Sequence, residues 1–541
     1  MDRSIPRRTF LRGAAAVTAA VSGAVPPVEA QLVPGENPKR SRRSYRRRGE
    51  QCFHYRVKAA RLSRARNRPL LVPENNGEEA EFADRRWSYS KGLPHDRLGV
   101  VQPFAYDALL RAVRTGDPAD FDAIPIAGAQ KLKNPQGGLA FDLEGPDSFS
   151  LAIPPAPRAD SPENSAEMVE AYWMALLRDV PFRTWNTDPL AAAACDDLSR
   201  LSDYRAPKEG ALITPATLFR GNSTGDLIGP WVSQFLWRDV PLGTLTISPR
   251  QRTALPGVDF MTTYDDWLAV QNGAFPPGEP VDPVQRYIRS LRDLCHYVHY
   301  DALYEAYLNA CLILLGLGAP YDPGLPSASS HNQYGFVEFG PPHVLSLVTE
   351  VATRALKAVW AQKWFVHRRI RPEAFSGRVH NHLTGRASYG IDPEVLGSEA
   401  LRRVYDATGT YLLPMAFPEG SPTHPAYASG HATVAGACVT VLKAFFDEAW
   451  ELPDPVQATD DGLGLEPWTG VRLTVGNELD KLAANIATAR DAAGVHWRTD
   501  AVEGMRLGEQ VAIGILEEQK ACYNQGFSLT LRRLDGSTIT I

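Results

Sequence analysis

Apolar residues recur at three- and four-residue intervals through most of the second half of the chain. From Val434 the positions Val434, Cys438, Val441, Leu442, Phe445 and Phe446 share one face, which predicts an amphipathic helix. The same period predicts helices over residues 284–315, 344–364, 479–490 and 501–519. Ahead of Val434 the chain is rich in Pro and Gly, and it delivers Ser429, Gly430 and His431 to a helix start. Free backbone N–H groups and the positive end of the helix dipole favour an anion there.

Between residues 69 and 283 the periodicity breaks down. Pro and Gly return in GLPHDRLG, IPPAPRADSPEN and FPPGEPVDP, with short helices expected at residues 106–115 and 165–178. The fragment FDLEGPDSFSLAIPP, from Phe141, reads as a small hairpin. There is no internal repeat and no alternation of strand and helix, which excludes a doubly wound parallel sheet. The expected fold is all-α: a helical bundle of two four-helix-bundle-like halves, with a loop-rich shell and at most minor β-hairpins. The expected organisation is a signal peptide at 1–30, a basic arm at 31–68, a loop-rich helical part at 69–283, and a bundle at 284–541 that carries the site.

Charge changes the picture locally. The 541 residues carry a formal net charge of −5, which makes no case for nucleic-acid binding overall. Residues 31–68, however, hold thirteen Lys and Arg against two Glu. An arm of one sign on a body of the other suits assembly, so a homo-oligomer, a dimer or larger, is expected. Residues 1–30 place Arg7-Arg8-Thr9-Phe10-Leu11-Arg12 before an Ala-rich run and the small-residue site Val28-Glu29-Ala30, which looks like a Tat-type signal. Export to the periplasm or the extracellular space follows. No apolar run reaches the ~20 residues of a membrane span, and none is expected. The six cysteines lack zinc or redox spacings, and Cys311 and Cys438 read as core residues. The loop SASSHNQYG has no carboxylate, so no calcium site is expected there.

Three clusters carry the candidate chemistry. KWFVHRRIRPEAF brings Lys363, with Trp360 one turn back, and Arg371-Pro372. The second cluster joins His424 to Ser429, Gly430 and His431. ARDAAGVHWRTD brings Arg490, Gly494, His496 and Asp500. Any one of these alone reads as structural, for example as dipole compensation at a helix end. Converging on one bundle, they describe a pocket for a tetrahedral oxyanion.

These motifs resemble those of the vanadium-dependent haloperoxidases, which share a fold and an oxyanion site with bacterial acid phosphatases. The family pattern is a lysine then RP, a PSGH box, and SRxxxGxH followed by an aspartate. Here Ala428 replaces the proline of the box and Ala489 the serine before the arginine, and neither change removes a ligand-contacting group. SKGLPHDR, GPPHVLSLVTEVATRALKAVW and PEGSPTHPAYASGHAT extend the resemblance to algal bromoperoxidases over most of the chain.

The resemblance implies a vanadate cofactor with His496 as its metal ligand, and Lys363, Arg371, Ser429, Gly430 and Arg490 holding its oxygens. It implies His431 as the acid–base group and Lys363 as the group that polarises peroxide. His424 stands where bromoperoxidases carry a histidine, so it and Trp360 are the expected halide pocket. Asp301 is a candidate to brace the arginines. Hydrogen peroxide would oxidise bromide or iodide to a hypohalous acid equivalent, which halogenates an organic acceptor. An exported acid phosphatase with His496 as nucleophile is the enzymatic alternative, and a polyanion-binding scaffold is the non-catalytic one.

Overall fold

The computed structural model describes residues 38–66, 73–523 and 525–541. The expected signal peptide at 1–30 lies outside them. Chain contacts divide the protein into residues 1–58 and 59–541. Within the stretch expected as a basic arm, the described residues form one continuous helix, α1 (Pro38–Arg66). Arg, Lys, Gln and Ala are strong helix formers, and their sum carries the helix across Gly49.

Eleven further helices of ten or more residues follow among the described residues. They are α2 (Pro103–Thr115), α3 (Pro162–Leu176), α4 (Pro189–Ser199), α5 (Leu291–Tyr300), α6 (Glu305–Leu317), α7 (Pro341–Ala361), α8 (Pro372–Leu383), α9 (Glu399–Thr408), α10 (Gly430–Phe445), α11 (Val475–Ala492) and α12 (Arg498–Cys522). Five of these eleven begin with proline at the first helical position, where the missing N–H has no intrahelical partner in any case. Strands occur as three short antiparallel hairpins: β1–β2 (Val240–Leu242, Leu245–Ile247), β3–β4 (Val456–Ala458, Leu465–Pro467) and β5–β6 (Thr530–Arg532, Thr538–Thr540). The fold is the all-α architecture that the periodicity predicts.

Helix α10 is the centre of the bundle and packs against α7, α11 and α12. Every residue from Gly430 to Phe445 is buried except His431. A helix buried on all sides needs neighbours on all sides, and small residues bring them close. A Cβ on Gly508 of α12 would lie 1.9 Å from the carbonyl oxygen of Thr433, and one on Gly436 2.0 Å from that of Met505. Glycine at both positions therefore sets how near α12 approaches the start of α10.

Two local expectations are corrected. Residues 284–315 are not one helix: α5 starts at Leu291, capped by Ser290, and an extended Asp301 separates it from α6. Both helices bury against the same core, so the apolar period crosses the break unmarked. The hairpin expected from Phe141 is a three-residue helical turn, Ser148–Ser150, capped by the Asp147 side chain. Pro146, Pro154 and Pro155 lack the N–H groups that a strand ladder needs. Cys311 and Cys438 are fully buried, and all six cysteines are free thiols. No described helix is long and apolar enough to cross a membrane.

Candidate active site

The site is built from the end of α7, the start of α8, the start of α10, the end of α11 and the loop that leads into α12. Helix α7 ends in a wider π-type turn, Gln362–His367, that turns Lys363 into the bundle. Its Nζ donates to the carbonyl oxygens of Pro425 and Ala426, each at 2.7 Å, which ties α7 to the loop preceding α10. Arg371 sits at the cap of α8. Its guanidinium donates to the carbonyls of His424 (2.8 Å) and Val495 (2.6 Å), and it lies 2.9 Å from Nε2 of His496 and 3.0 Å from Nδ1 of His424. One planar fork thus joins two loops 70 residues apart.

Ser429 caps α10 through the Ala432 N–H, and Gly430 opens the helix beneath the Trp360 ring. The Trp360 ring lies tilted against His424, centroids 4.7 Å apart, and its indole N–H donates to the Lys133 carbonyl. Arg490, near the end of α11, donates to the Val298 carbonyl and lies over the Phe417 ring. His496 Nδ1 is 2.8 Å from Asp500 Oδ2. An ionised Asp500 makes Nδ1 the protonated nitrogen, so the Nε2 lone pair faces the site. His431 Nε2 is 3.1 Å from Asp301 Oδ1.

All nine sequence candidates thus converge: Trp360, Lys363, Arg371, His424, Ser429, Gly430, His431, Arg490 and His496. Asp301 hydrogen-bonds His431 and forms no salt bridge with an arginine among the described residues, while its charge also favours the cationic form of Arg490. Sequence reading missed the residues behind the site. Arg369 bridges Asp500 Oδ1 and Glu167 Oε2, both at 2.9 Å, and the carbonyls of Lys131 and Lys133 accept from Thr423 and Trp360. Arg369 was visible in the run HRRIRP. Nothing in the chain marked which of its arginines would point where, and Glu167 lies some 200 residues away.

Burial and mutual repulsion dominate the electrostatics. Burial, reinforced by Arg371, holds the Lys363 ammonium well below its ordinary value. Burial likewise brings Arg371 down to about 10 and lowers Arg490. His496 and His424 are held far below the usual imidazole range, first by burial and then by the neighbouring Arg371 and Lys363. Both rings are therefore neutral near pH 7, as a metal-binding imidazole must be. Burial lowers His431 too, with Asp301 opposing the shift.

Lys363, Arg371 and Arg490 are each at most 5% exposed, and none forms a salt bridge with a carboxylate among the described residues. The Nε of Arg490 has no hydrogen-bond partner there either. Buried cations normally carry anionic partners. Three together, with a helix N-terminus and a neutral imidazole lone pair, form a cradle that fits a tetrahedral oxyanion.

Fold and site thus define the class: a helical-bundle protein with a buried oxyanion cradle backed by a histidine. Residues 343–525 match the family described as the VCPO second helical-bundle domain. The vanadium-dependent bromoperoxidase of Corallina pilulifera is 40% identical over 591 residues, covering 91% of this chain and 98% of that protein. The vanadium-dependent bromoperoxidase of Ascophyllum nodosum is 36% identical over 520 residues, covering 91% and 92%. The solved homohexameric vanadate-dependent bromoperoxidase AnII from Ascophyllum nodosum matches with a TM-score of 0.88 at 29% identity, covering 100% of this chain and 94% of that one. The chain belongs to the vanadium-dependent haloperoxidase family.

Proposed function

We infer that the protein is a vanadate-dependent bromoperoxidase, which uses hydrogen peroxide to oxidise bromide or iodide to hypohalous acid equivalents that halogenate an organic acceptor. The observation that carries this reading is the cluster of three buried cations that form no salt bridge with a carboxylate among the described residues, set around Nε2 of His496, the ring nitrogen that faces Arg371. Vanadate, when bound, supplies a Lewis acid that activates peroxide toward a halide at constant oxidation state.

In this reading His496 would hold the metal through Nε2, while Asp500 holds the Nδ1 proton. Lys363, Arg371 and Arg490 neutralise the oxyanion, and the Ser429 hydroxyl and Gly430 N–H donate to it. Lys363 also polarises peroxide. Asp301 engages Nε2 of His431, leaving Nδ1 to exchange the proton that halide oxidation consumes. His424 and Trp360 form the halide wall. The phosphatase alternative is not favoured, because the curated relatives are bromoperoxidases along nearly their whole length.

We further propose export through the Arg7-Arg8 signal and assembly into a dimer or larger homo-oligomer. The latter is supported by the hexameric state of the AnII relative. Bromination of a phenol dye by metal-stripped protein, with and without orthovanadate and with phosphate as competitor, tests the function. Activity that requires vanadate, is suppressed by phosphate and is lost in His496→Ala is the expected result. Phosphate-ester hydrolysis without bromination at any vanadate loading would overturn it.

A further inference from the structure

Asp500 has both carboxylate oxygens assigned. Oδ2 accepts from His496 Nδ1 (2.8 Å) and from the Trp497 N–H (3.2 Å), while Oδ1 accepts from Arg369 (2.9 Å). The other arm of the same guanidinium donates to Glu167 Oε2 and Asn164 Oδ1, both at 2.9 Å. Glu167 Oε1 in turn accepts from the N–H (2.7 Å) and the hydroxyl of Thr499. Arg369 itself is clamped by rings, with Cζ 4.8 Å over Trp497 and 5.8 Å from the Tyr427 centroid. Arg369, Asp500 and Glu167 are each at most 5% exposed. The network therefore runs unbroken from α3, in the loop-rich part of the chain, to the imidazole at the oxyanion cradle.

We propose that Arg369, anchored by Glu167, is the positioning residue of the oxyanion site: it locks the Asp500 carboxylate in the one rotation that fixes the tautomer and aim of the His496 ring. The argument is geometric. A carboxylate held at one oxygen can turn about its last bond and offer either oxygen, or neither, to Nδ1. Arg369 removes that freedom, because its fork is planar and its second arm is itself tied to α3. A lysine has a single charged centre and cannot hold both carboxylates in the same fork. The Nε2 lone pair then points into the cradle before any oxyanion arrives, and binding meets a ligand already in place. By this account α3 is part of the site although none of its residues touches the cradle. The inference rests on the haloperoxidase reading for its purpose, but its test does not.

The test compares full-length Arg369→Gln, Arg369→Lys and Glu167→Gln with the parent protein. Metal-stripped protein is titrated with orthovanadate, and separately with phosphate, by calorimetry, and the His496 ring nitrogens are followed by 1H–15N NMR. For Arg369→Gln we expect oxyanion affinity to fall 10- to 100-fold, the range seen when support behind a metal ligand is lost, with the Nδ1–H signal of His496 shifted or exchange-broadened. The KM for bromide at saturating vanadate should change less than twofold. Arg369→Lys should recover part of the affinity. A cooperatively folded Arg369→Gln protein with parental oxyanion affinity and an unchanged His496 signal would overturn the proposal. If that variant does not fold, Glu167→Gln decides by the same two readouts, and parental values in it overturn the proposal equally. Failure of the parent protein to brominate would sink the functional reading while leaving these measurements intact.

Discussion

The guanidinium of Arg371 lies 2.9 Å from Nε2 of His496, although 125 positions separate them in the chain. Since arginine can only donate, that nitrogen must present its lone pair. The contact thus identifies the ring nitrogen whose lone pair would bind a metal in place of that donor. It also makes Arg371 a reporter on the site. Arg371→Ala removes one of three cations and the donor facing Nε2. Loss of a charged hydrogen bond is worth about 1.5–3 kcal/mol, so vanadate affinity measured by equilibrium dialysis should fall roughly 10- to 100-fold.

The crowding of Lys363, Arg371 and Arg490 predicts strong stabilisation by oxyanions. Phosphate or vanadate at 100 times its Kd should raise the unfolding free energy by about 2.7 kcal/mol, seen as a higher Tm. In Lys363→Met the ligand-induced rise in Tm should shrink clearly. An equal rise in both proteins would show that Lys363 does not contact the anion.

Trp360 tests the halide wall. Its ring packs on His424 and its N–H reaches the Lys133 carbonyl. Trp360→Phe removes that tether and thins the wall while sparing the cations. The KM for bromide should rise several-fold, with vanadate affinity close to that of the parent. Steady-state kinetics at saturating vanadate measure the first, and dialysis the second.

A cluster beside the site predicts a pH dependence of stability. His299 lies between Glu279 (3.1 Å) and Glu419 (2.7 Å), and its ring stacks at 3.9 Å on Phe417, which Arg490 also covers. Burial opposes charge on His299, but its hydrogen bonds to Glu279 and Glu419 outweigh it and raise the imidazole above 6.5. Burial would raise Glu279, yet hydrogen bonds from His296 and His299 bring it down to about 2. A raised histidine stabilises fully below its unfolded value of 6.5 and loses this as pH rises through its folded value. A depressed carboxylate stabilises above 4.5 and loses this as pH falls toward about 2. The cluster should therefore stabilise most between about pH 4.5 and 6.5. Urea unfolding of the parent and His299→Gln should differ most in that window and converge on either side. A pH-independent difference would mean that His299 acts by packing alone.

Much of this was legible along the chain. The three- and four-residue apolar period locates α7, α10, α11 and α12, because a buried helix must repeat its apolar face every turn. Ser429, Gly430 and His431 announce themselves at a helix start. Lys363, Arg371, Arg490 and His496 stand in spacings that the family resemblance makes specific. The break at Asp301 was not legible, because α5 and α6 continue one apolar pattern on either side of it.

What the sequence determined by itself was therefore the set of helices, the charged groups of the cradle and the chemistry they suit. These follow from local periodicity and from residue types at short spacing. The tertiary structure alone decided which partner each group has: Asp301 with His431, Arg371 with the Nε2 of His496, and Arg369 between Asp500 and Glu167. Hydrogen bonding depends on distances of about 3 Å and on direction. Such distances between residues 100 to 300 positions apart are set by how whole helices pack, and no local pattern in the chain encodes them.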